Sequence, residues 1–171
     1  MMILISGSNG SGKSLFAEHL AATADLPRYY IATMVSQNPE NDRRIEKHRR
    51  QRAGLGFTTL ELPCHVDRAT VTADSLVLLE DASNLLANLV FTEGGTEQDA
   101  LQEILALRDQ CRYLIVVTIS GMDETAYDGE TADYIRSMAA LNAYLLDAAD
   151  AAVELVNGQP VMVKGDPYGL L

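Results

Sequence analysis

Residues 7–14 read GSNGSGKS and match the pattern G-x-x-x-x-G-K-[ST] in full. In this pattern the glycines let backbone amides curl around phosphate oxygens, the lysine reaches the β- and γ-phosphates, and the last hydroxyl binds Mg²⁺. The apolar run 2–6 predicts a strand directly before the loop, and residues 13–24 predict a helix whose N-terminus favours anions. We therefore predict that the phosphates of a nucleotide are bound by Gly7, Ser8, Asn9, Gly10, Ser11, Gly12, Lys13 and Ser14.

A second acidic group for the metal is predicted at residues 76–81, which read LVLLED. An apolar strand that ends in acids is typical of the Walker B segment of phosphate-transferring enzymes. Glu80 follows the strand at the edge where open α/β sheets bind ligands, so we predict that Glu80 and Ser14 hold Mg²⁺. A solvated strand end is the alternative for Glu80. For Asp81, an N-cap of a helix over 82–91 is at least as good an interpretation as a metal ligand.

The segment RRIEKHRRQR, residues 43–52, concentrates positive charge in a chain that has 13 Lys plus Arg against 24 Asp plus Glu. In a helix, Arg44, His48 and Arg52 share one face. Arginines bind phosphate oxygens bidentately, and repulsion from their charge favours a neutral imidazole that can attack phosphorus. The other interpretation is a solvated helix whose charges are paired by Asp42 and Glu46.

Composition limits the function classes. The 171 residues predict one domain, 1–171, and a net charge of −11 argues against general nucleic-acid binding. Neither a signal peptide nor a stretch long enough for membrane insertion is evident, so we expect a cytoplasmic protein. Cys64 and Cys111 have no metal or redox spacing and predict buried free thiols. For His19 and His65 we predict structural roles.

Apolar runs alternate with helical patterns along the chain, which predicts an α/β fold of the P-loop NTPase type with a mostly parallel sheet flanked by helices. Residues 34–42 predict a loop or helix start before the basic helix, Gly94-Gly95 a break, and 120–129 a loop. Asn157-Gly158 predicts the turn of a C-terminal antiparallel hairpin over 152–156 and 160–163. The other predicted strands are 29–33, 57–62, 76–79 and 113–118, and the other predicted helices are 82–91, 97–111 and 130–149.

Several segments together carry a resemblance to one family: GSNGSGKS, YYIAT, RIEKHRRQR, FTTLELP, LLED followed by NLLANLVF, and VNGQPVMVKG. The chain resembles the bifunctional adenosylcobinamide kinase / adenosylcobinamide-phosphate guanylyltransferases of cobalamin assembly. The resemblance covers nearly the whole chain. Its most specific part is the run from YIAT through R-I-x-x-H-R-x-x-R to T-x-E.

The resemblance implies a RecA-like sheet, a homotrimer and two linked reactions. ATP or GTP phosphorylates adenosylcobinamide, and GTP then transfers GMP to that phosphate through a guanylylated histidine. The resemblance implies that His48 is this histidine. We also predict that Lys13 is catalytic, because it would neutralise the charge of the leaving pyrophosphate. The resemblance further implies nucleotide contacts from Thr33, Arg49, Arg52 and Glu61.

Among the departures from the family pattern, the stretch after the predicted strand 113–118 bears most on function. After the predicted strand 113–118 the family usually carries Asn-Glu followed by glycine, whereas this chain reads Thr118-Ile119-Ser120-Gly121. The acidic residues of the following loop, Asp123, Glu124 and Asp128, are candidates to replace the missing acid, and a solvated loop is the alternative. The departure leaves two other functions open: a kinase without guanylyl transfer, and a degenerate GTP-binding regulatory module.

Overall fold

Strands and helices alternate along the chain in this computed structural model, which describes residues 1–36 and 39–171 apart from the side chains of Lys47 and Gln51. The strands are β1 (Met2–Gly7), β2 (Arg28–Ala32), β3 (Phe57–Glu61), β4 (Leu76–Glu80), β5 (Tyr113–Val117), β6 (Ala151–Val156) and β7 (Gln159–Lys164). The helices are α1 (Lys13–Ala22), α2 (Pro39–Arg52), α3 (Ala82–Asn88), α4 (Glu97–Arg108), α5 (Gly129–Ala148) and α6 (Pro167–Leu170).

The strands of the described residues form one sheet in the order β3-β2-β4-β5-β1-β6-β7. Every neighbouring pair is parallel except β6 and β7, which form the predicted antiparallel hairpin. Because the parallel strands end at the same edge, the loop after β1 and the end of β4 lie close together, separated only by β5. The register pairs Ala32 with Glu80, which puts Thr33 beside the end of β4.

Both faces of the sheet are covered, which explains the continuous apolar runs of its central strands. Met2 and Leu4 point into a core built with α3, α4 and α5, whereas Ile3 and Ile5 point into a core built with α1. All four side chains are at most 3% exposed. Full burial of each such side chain stabilises the fold by roughly 1.5–3 kcal/mol.

The predicted α/β pattern is confirmed, with differences at the ends of elements. The helix predicted over 82–91 ends as α3 at Asn88 and continues as a π-helical turn, Leu89–Glu93, before the predicted break at Gly94. The helix predicted over 97–111 ends at Arg108. Two short 3₁₀ turns, Val66–Arg68 and Glu124–Ala126, and helix α6 were not predicted.

Two local predictions are confirmed and one is corrected. Asn157 and Gly158 both have positive φ, as a two-residue hairpin turn requires. The two cysteines are free, but both are partly rather than fully buried.

Asn38, in the predicted loop or helix start over 34–42, lies outside the described residues. No helix in the described part of the chain has the length and apolar character needed to span a membrane.

Candidate nucleotide and metal site

The loop between β1 and α1 has the shape that its glycines predict. A side chain at Gly7 would place its Cβ 2.5 Å from Ser11 Oγ and 2.9 Å from the carbonyl oxygen of Leu155, so only glycine fits there. Lys13 is 8% exposed, and its ammonium group donates a hydrogen bond to the carbonyl oxygen of Ser8 at 3.3 Å. The lysine is therefore held within the loop, next to where the loop would place phosphates.

The predicted metal ligands contact each other. The Ser14 hydroxyl donates to Glu80 Oε1 at 2.5 Å, while Glu80 Oε2 is buried and has no hydrogen-bond partner among the described residues. Burial and the neighbouring Asp81 raise the pKa of Glu80 to about 8, against the opposing effects of Ser14 and Lys13. A hydroxyl beside an unpartnered carboxylate oxygen is an oxygen donor set that fits Mg²⁺.

Asp81 and Thr33 fix the end of β4. Asp81 caps α3, because its carboxylate accepts the Asn84 N–H at 2.7 Å and the Ser83 hydroxyl at 2.6 Å; the N-cap interpretation is thus confirmed. Thr33 is fully buried, and its hydroxyl accepts the Asp81 N–H at 2.8 Å and lies 3.0 Å from the Glu80 carbonyl oxygen. Thr33 is absent from the cavity wall formed by the described residues. Its predicted contact with the nucleotide stays a prediction.

The basic helix α2 lines the same cavity as the phosphate-binding loop. The cavity has a volume of about 800 Å³ and opens over the sheet edge. Arg44 Nη2 donates to Asn9 Oδ1 at 3.3 Å, which ties the helix to the phosphate-binding loop. The residues that line the cavity from the predicted set are Asn9, Gly10, Gly12, Lys13, Ser14, His48, Arg49, Arg52, Glu61 and Glu80. The prediction that Arg44, His48 and Arg52 share a face is confirmed.

Two arginines of α2 are held against the sheet. Arg49 forms an ion pair with Glu61 at 2.5 Å. The guanidinium of Arg52 lies 4.1 Å from the centre of the Tyr30 ring and donates to Thr59 Oγ1 at 3.3 Å. Arg52 is only 8% exposed, whereas about half of the Arg49 side chain is exposed. Of these two arginines, Arg49 therefore has the side chain that can turn toward a phosphate more easily.

Acidic side chains of α2 also make the polar contacts expected of a solvated helix. Arg50, 79% exposed, pairs with Glu46 one turn earlier at 2.9 Å, and Asp42 accepts a hydrogen bond from the Ser36 hydroxyl. Asp42 and Glu46 line the cavity together with Arg44 and His48, whereas Arg50 is absent from the cavity wall. Of the charge pairing predicted for a solvated helix, the described residues show the Arg50–Glu46 ion pair but no ion pair of Asp42.

Sequence reasoning missed Glu18. This residue of α1 is 0% exposed, and both of its carboxylate oxygens are buried without a hydrogen-bond partner among the described residues. Burial raises the pKa of Glu18 to about 7, although the charge of Arg52 acts in the opposite direction. The available signal was a single acid in the apolar run FAEHLAA, one turn after Ser14.

Hydrogen bonds hold the stretch that departs from the family pattern, residues 118–121, against α5 and β6. The Thr118 hydroxyl donates to Asn142 Oδ1 at 2.6 Å, and the Asn142 amide donates to the carbonyl oxygen of Ile119 at 2.8 Å. Ser120 donates to Glu154 at 3.0 Å. The acidic residues of the next loop, Asp123, Glu124 and Asp128, are exposed and lie outside the cavity wall of the described residues, and Asp123 caps a 3₁₀ turn.

Comparison with known proteins decides the family. The model of the cobinamide kinase / cobinamide phosphate guanyltransferase family matches residues 3–163. The chain belongs to this family. Kinases and guanyltransferases both transfer groups, so the family is one of transferases, and the resemblance given by the sequence segments is confirmed.

Curated relatives match along their whole length. A bifunctional adenosylcobalamin biosynthesis protein of Salmonella typhimurium is 30% identical over 185 residues, covering 96% of this chain and 100% of the relative. Its counterpart in Pseudomonas aeruginosa is 28% identical over 176 residues, covering 98% of this chain and 99% of the relative.

Solved structures support the fold alone. An ATPase from the type III secretion system of pathogenic bacteria superposes with a TM-score of 0.55 at 10% identity, covering 91% of this chain and 51% of that one. A protein from Pyrococcus horikoshii superposes with a TM-score of 0.53 at 9% identity, covering 96% and 86%. The P-loop NTPase fold is confirmed.

Proposed function

We propose that this chain phosphorylates adenosylcobinamide with ATP or GTP and then transfers GMP from GTP to the phosphate product, giving adenosylcobinamide-GDP and pyrophosphate. The observation that carries the proposal is that one cavity is lined by Lys13 and Ser14, by Glu80, and by His48 between two arginines. Family membership supports the choice of substrates.

In the kinase step, the phosphate-binding loop and Lys13 orient the terminal phosphates of the triphosphate. The aminopropanol hydroxyl of adenosylcobinamide attacks the γ-phosphorus and releases its proton, the bond from the γ-phosphorus to the bridging oxygen breaks, and the nucleoside diphosphate leaves with the electron pair. Ser14 and Glu80 would hold Mg²⁺, which neutralises phosphate charge when it is bound. The Lys13 ammonium stabilises the charge that develops on the leaving oxygens, because it is already fixed within the loop.

In the guanylyl transfer, a ring nitrogen of neutral His48 attacks the α-phosphorus of GTP. The bond from the α-phosphorus to the bridging oxygen breaks, and pyrophosphate leaves with the electron pair. Lys13 and the arginines of α2 stabilise its charge. A phosphate oxygen of adenosylcobinamide phosphate then attacks the same phosphorus, the P–N bond breaks, and the imidazole is regenerated.

The test is to incubate the protein with Mg²⁺ and GTP labelled at the α-phosphate and then to denature it. We expect label on the protein that survives alkali and is lost in acid, as a phosphoramidate is. His48→Ala should carry no label, whereas His19→Ala, which changes an exposed histidine of α1, should label normally. Unlabelled protein that still binds GTP would refute the covalent step.

A second assay separates the remaining alternatives. Adenosylcobinamide is incubated with ATP or GTP labelled at the γ-phosphate, and phosphorylated corrinoid is measured. Phosphorylation without protein labelling would identify a kinase that lacks guanylyl transfer. GTP binding without either reaction would identify a regulatory module. The homotrimer implied by the resemblance and the cytoplasmic location expected from the sequence stay predictions, and sedimentation velocity tests the first of them.

A further inference from the structure

A second cluster of possible ligands lies outside the nucleotide cavity. His65 follows β3 and directly precedes the 3₁₀ turn that contains Asp67, and Glu103 lies on α4. One ligand atom from each of these three residues lies within 4.8 Å of the others. We call His65, Asp67 and Glu103 the His65 cluster. Segments distant in sequence meet here, so the fold itself brings the three side chains together.

The charges around the imidazole do not balance. His65 Nδ1 lies 3.3 Å from Glu103 Oε1, and His65 Nε2 lies 3.3 Å from Glu93 Oε2. With Asp67, three carboxylates surround one imidazole, which carries at most one positive charge. Within the described part of the chain, no lysine or arginine forms an ion pair with any of these carboxylates. A divalent cation would offset the excess negative charge.

An independent observation concerns Asp67. Its Oδ1 atom is buried and has no hydrogen-bond partner among the described residues. A buried carboxylate oxygen without a partner is costly, and coordination of a cation removes that cost. The Glu103 side chain is also largely buried, at 12% exposure, and its other oxygen accepts the Val66 N–H at 3.1 Å, which orients the carboxylate.

We propose that His65, Asp67 and Glu103 bind a divalent transition-metal ion, with Zn²⁺ the ion that the donor set favours. One imidazole nitrogen and two carboxylate oxygens are ligands that Zn²⁺ takes, and three protein ligands leave a fourth position for water. Small side-chain rotations suffice to bring atoms now within 4.8 Å to coordination distance. The ion would tie the segment after β3 to α4, and it takes no part in the reactions proposed above.

The test uses the full chain, stripped with a chelator and kept in millimolar Mg²⁺ so that the Ser14–Glu80 site does not take up Zn²⁺. Calorimetric titration with Zn²⁺ should give one ion per chain. At 100-fold excess over the dissociation constant, the melting temperature should rise by about 5–10 °C. His65→Ala and Glu103→Gln should each weaken Zn²⁺ binding by at least about tenfold. His19→Ala should bind Zn²⁺ as the unmodified chain does.

Two results would overturn the proposal. One is a stripped chain that takes up no Zn²⁺ under these conditions, which would identify the cluster as a histidine–carboxylate ion-pair network. The other is uptake that is unchanged in His65→Ala and in Asp67→Asn, which would place the ion elsewhere. Asp67→Asn keeps the side-chain shape, and GTP binding by each variant verifies that it is folded.

Discussion

The buried carboxylate of Glu18 allows a quantitative prediction of how the free energy of unfolding depends on pH. Its pKa is raised from 4.5 to about 7, first by burial and against the attraction of Arg52. Because the native state then binds a proton more tightly than the unfolded chain, Glu18 lowers stability as the pH rises from about 4.5 to 7. A shift of this size corresponds to about 3 kcal/mol at pH 8, and to almost nothing at pH 4.5. Glu18→Gln removes the titration while keeping the shape.

Urea unfolding of both proteins at pH 5 and pH 8 measures this effect. The neutral acid and the amide are both buried without partners, so the variant and the unmodified chain should differ little at pH 5. At pH 8 the variant should be more stable by about 2.5 kcal/mol relative to the difference at pH 5, since only the unmodified chain must bury a charge. Glu124→Gln, at an exposed position, should show the same difference in unfolding free energy at both pH values.

The sign of the result separates two physical accounts. If the attraction of Arg52 outweighed burial, the folded pKa of Glu18 would lie below 4.5, and Glu18→Gln would be less stable at pH 8 than at pH 5, relative to the unmodified chain. A pH-independent difference would show that Glu18 has the same pKa in the folded and unfolded states. Either outcome refutes the reasoning that burial dominates at this site.

Three further outcomes follow from the geometry. Gly7→Ala forces a Cβ against the Ser11 hydroxyl and a strand carbonyl, so GTP affinity measured by calorimetry should fall by roughly 5- to 100-fold. Thr96→Ala removes the capping box of α4 and should cost about 1 kcal/mol, seen as a melting temperature lower by about 2–4 °C. Arg52→Lys loses the stacked guanidinium over Tyr30, so urea unfolding should show a loss of about 0.5–2 kcal/mol.

The architecture of the sheet edge could be predicted because local signals there agree. The apolar strand, the glycine-rich loop and the helix after it fix β1, the phosphate cradle and α1, and the LVLLE run fixes β4 and Glu80. That Arg44, His48 and Arg52 lie on one face of α2 could be predicted from helical spacing alone. Each of these inferences rests on residues that are neighbours in sequence, which is where periodicity and motif spacing carry information.

Features that depend on distant contacts could not be predicted. Burial of Glu18 is set by the packing of α1 on the sheet, and the single acid in FAEHLAA does not by itself distinguish a buried acid from an exposed one at a helix surface. His65 was predicted to be structural because it is an isolated histidine after a strand, and its contacts Glu93 and Glu103 are distant in sequence. The pairing of Thr118 with Asn142 likewise joins residues 24 positions apart. Such contacts become visible only once the strand order is known.

The attachment of α2 links the position of His48 to the presence of a triphosphate. Apart from Pro39, Ile45 is the one apolar residue in the helix, so burial of an apolar face contributes little to holding it. What fixes it instead is a set of polar contacts: Arg44 with Asn9 of the phosphate-binding loop, Arg49 with Glu61, and Arg52 with Tyr30.

Phosphate oxygens would compete for the same guanidinium groups, and a charged hydrogen bond to phosphate is stronger than the one that Arg44 now makes to an amide. Binding of a triphosphate would therefore draw α2 toward the phosphate-binding loop. The imidazole of His48 lies on the same face of the helix and would move with it. In this arrangement the basic residues position the nucleophile as well as neutralise the leaving group, which accounts for their concentration around one histidine in a chain that is otherwise acidic.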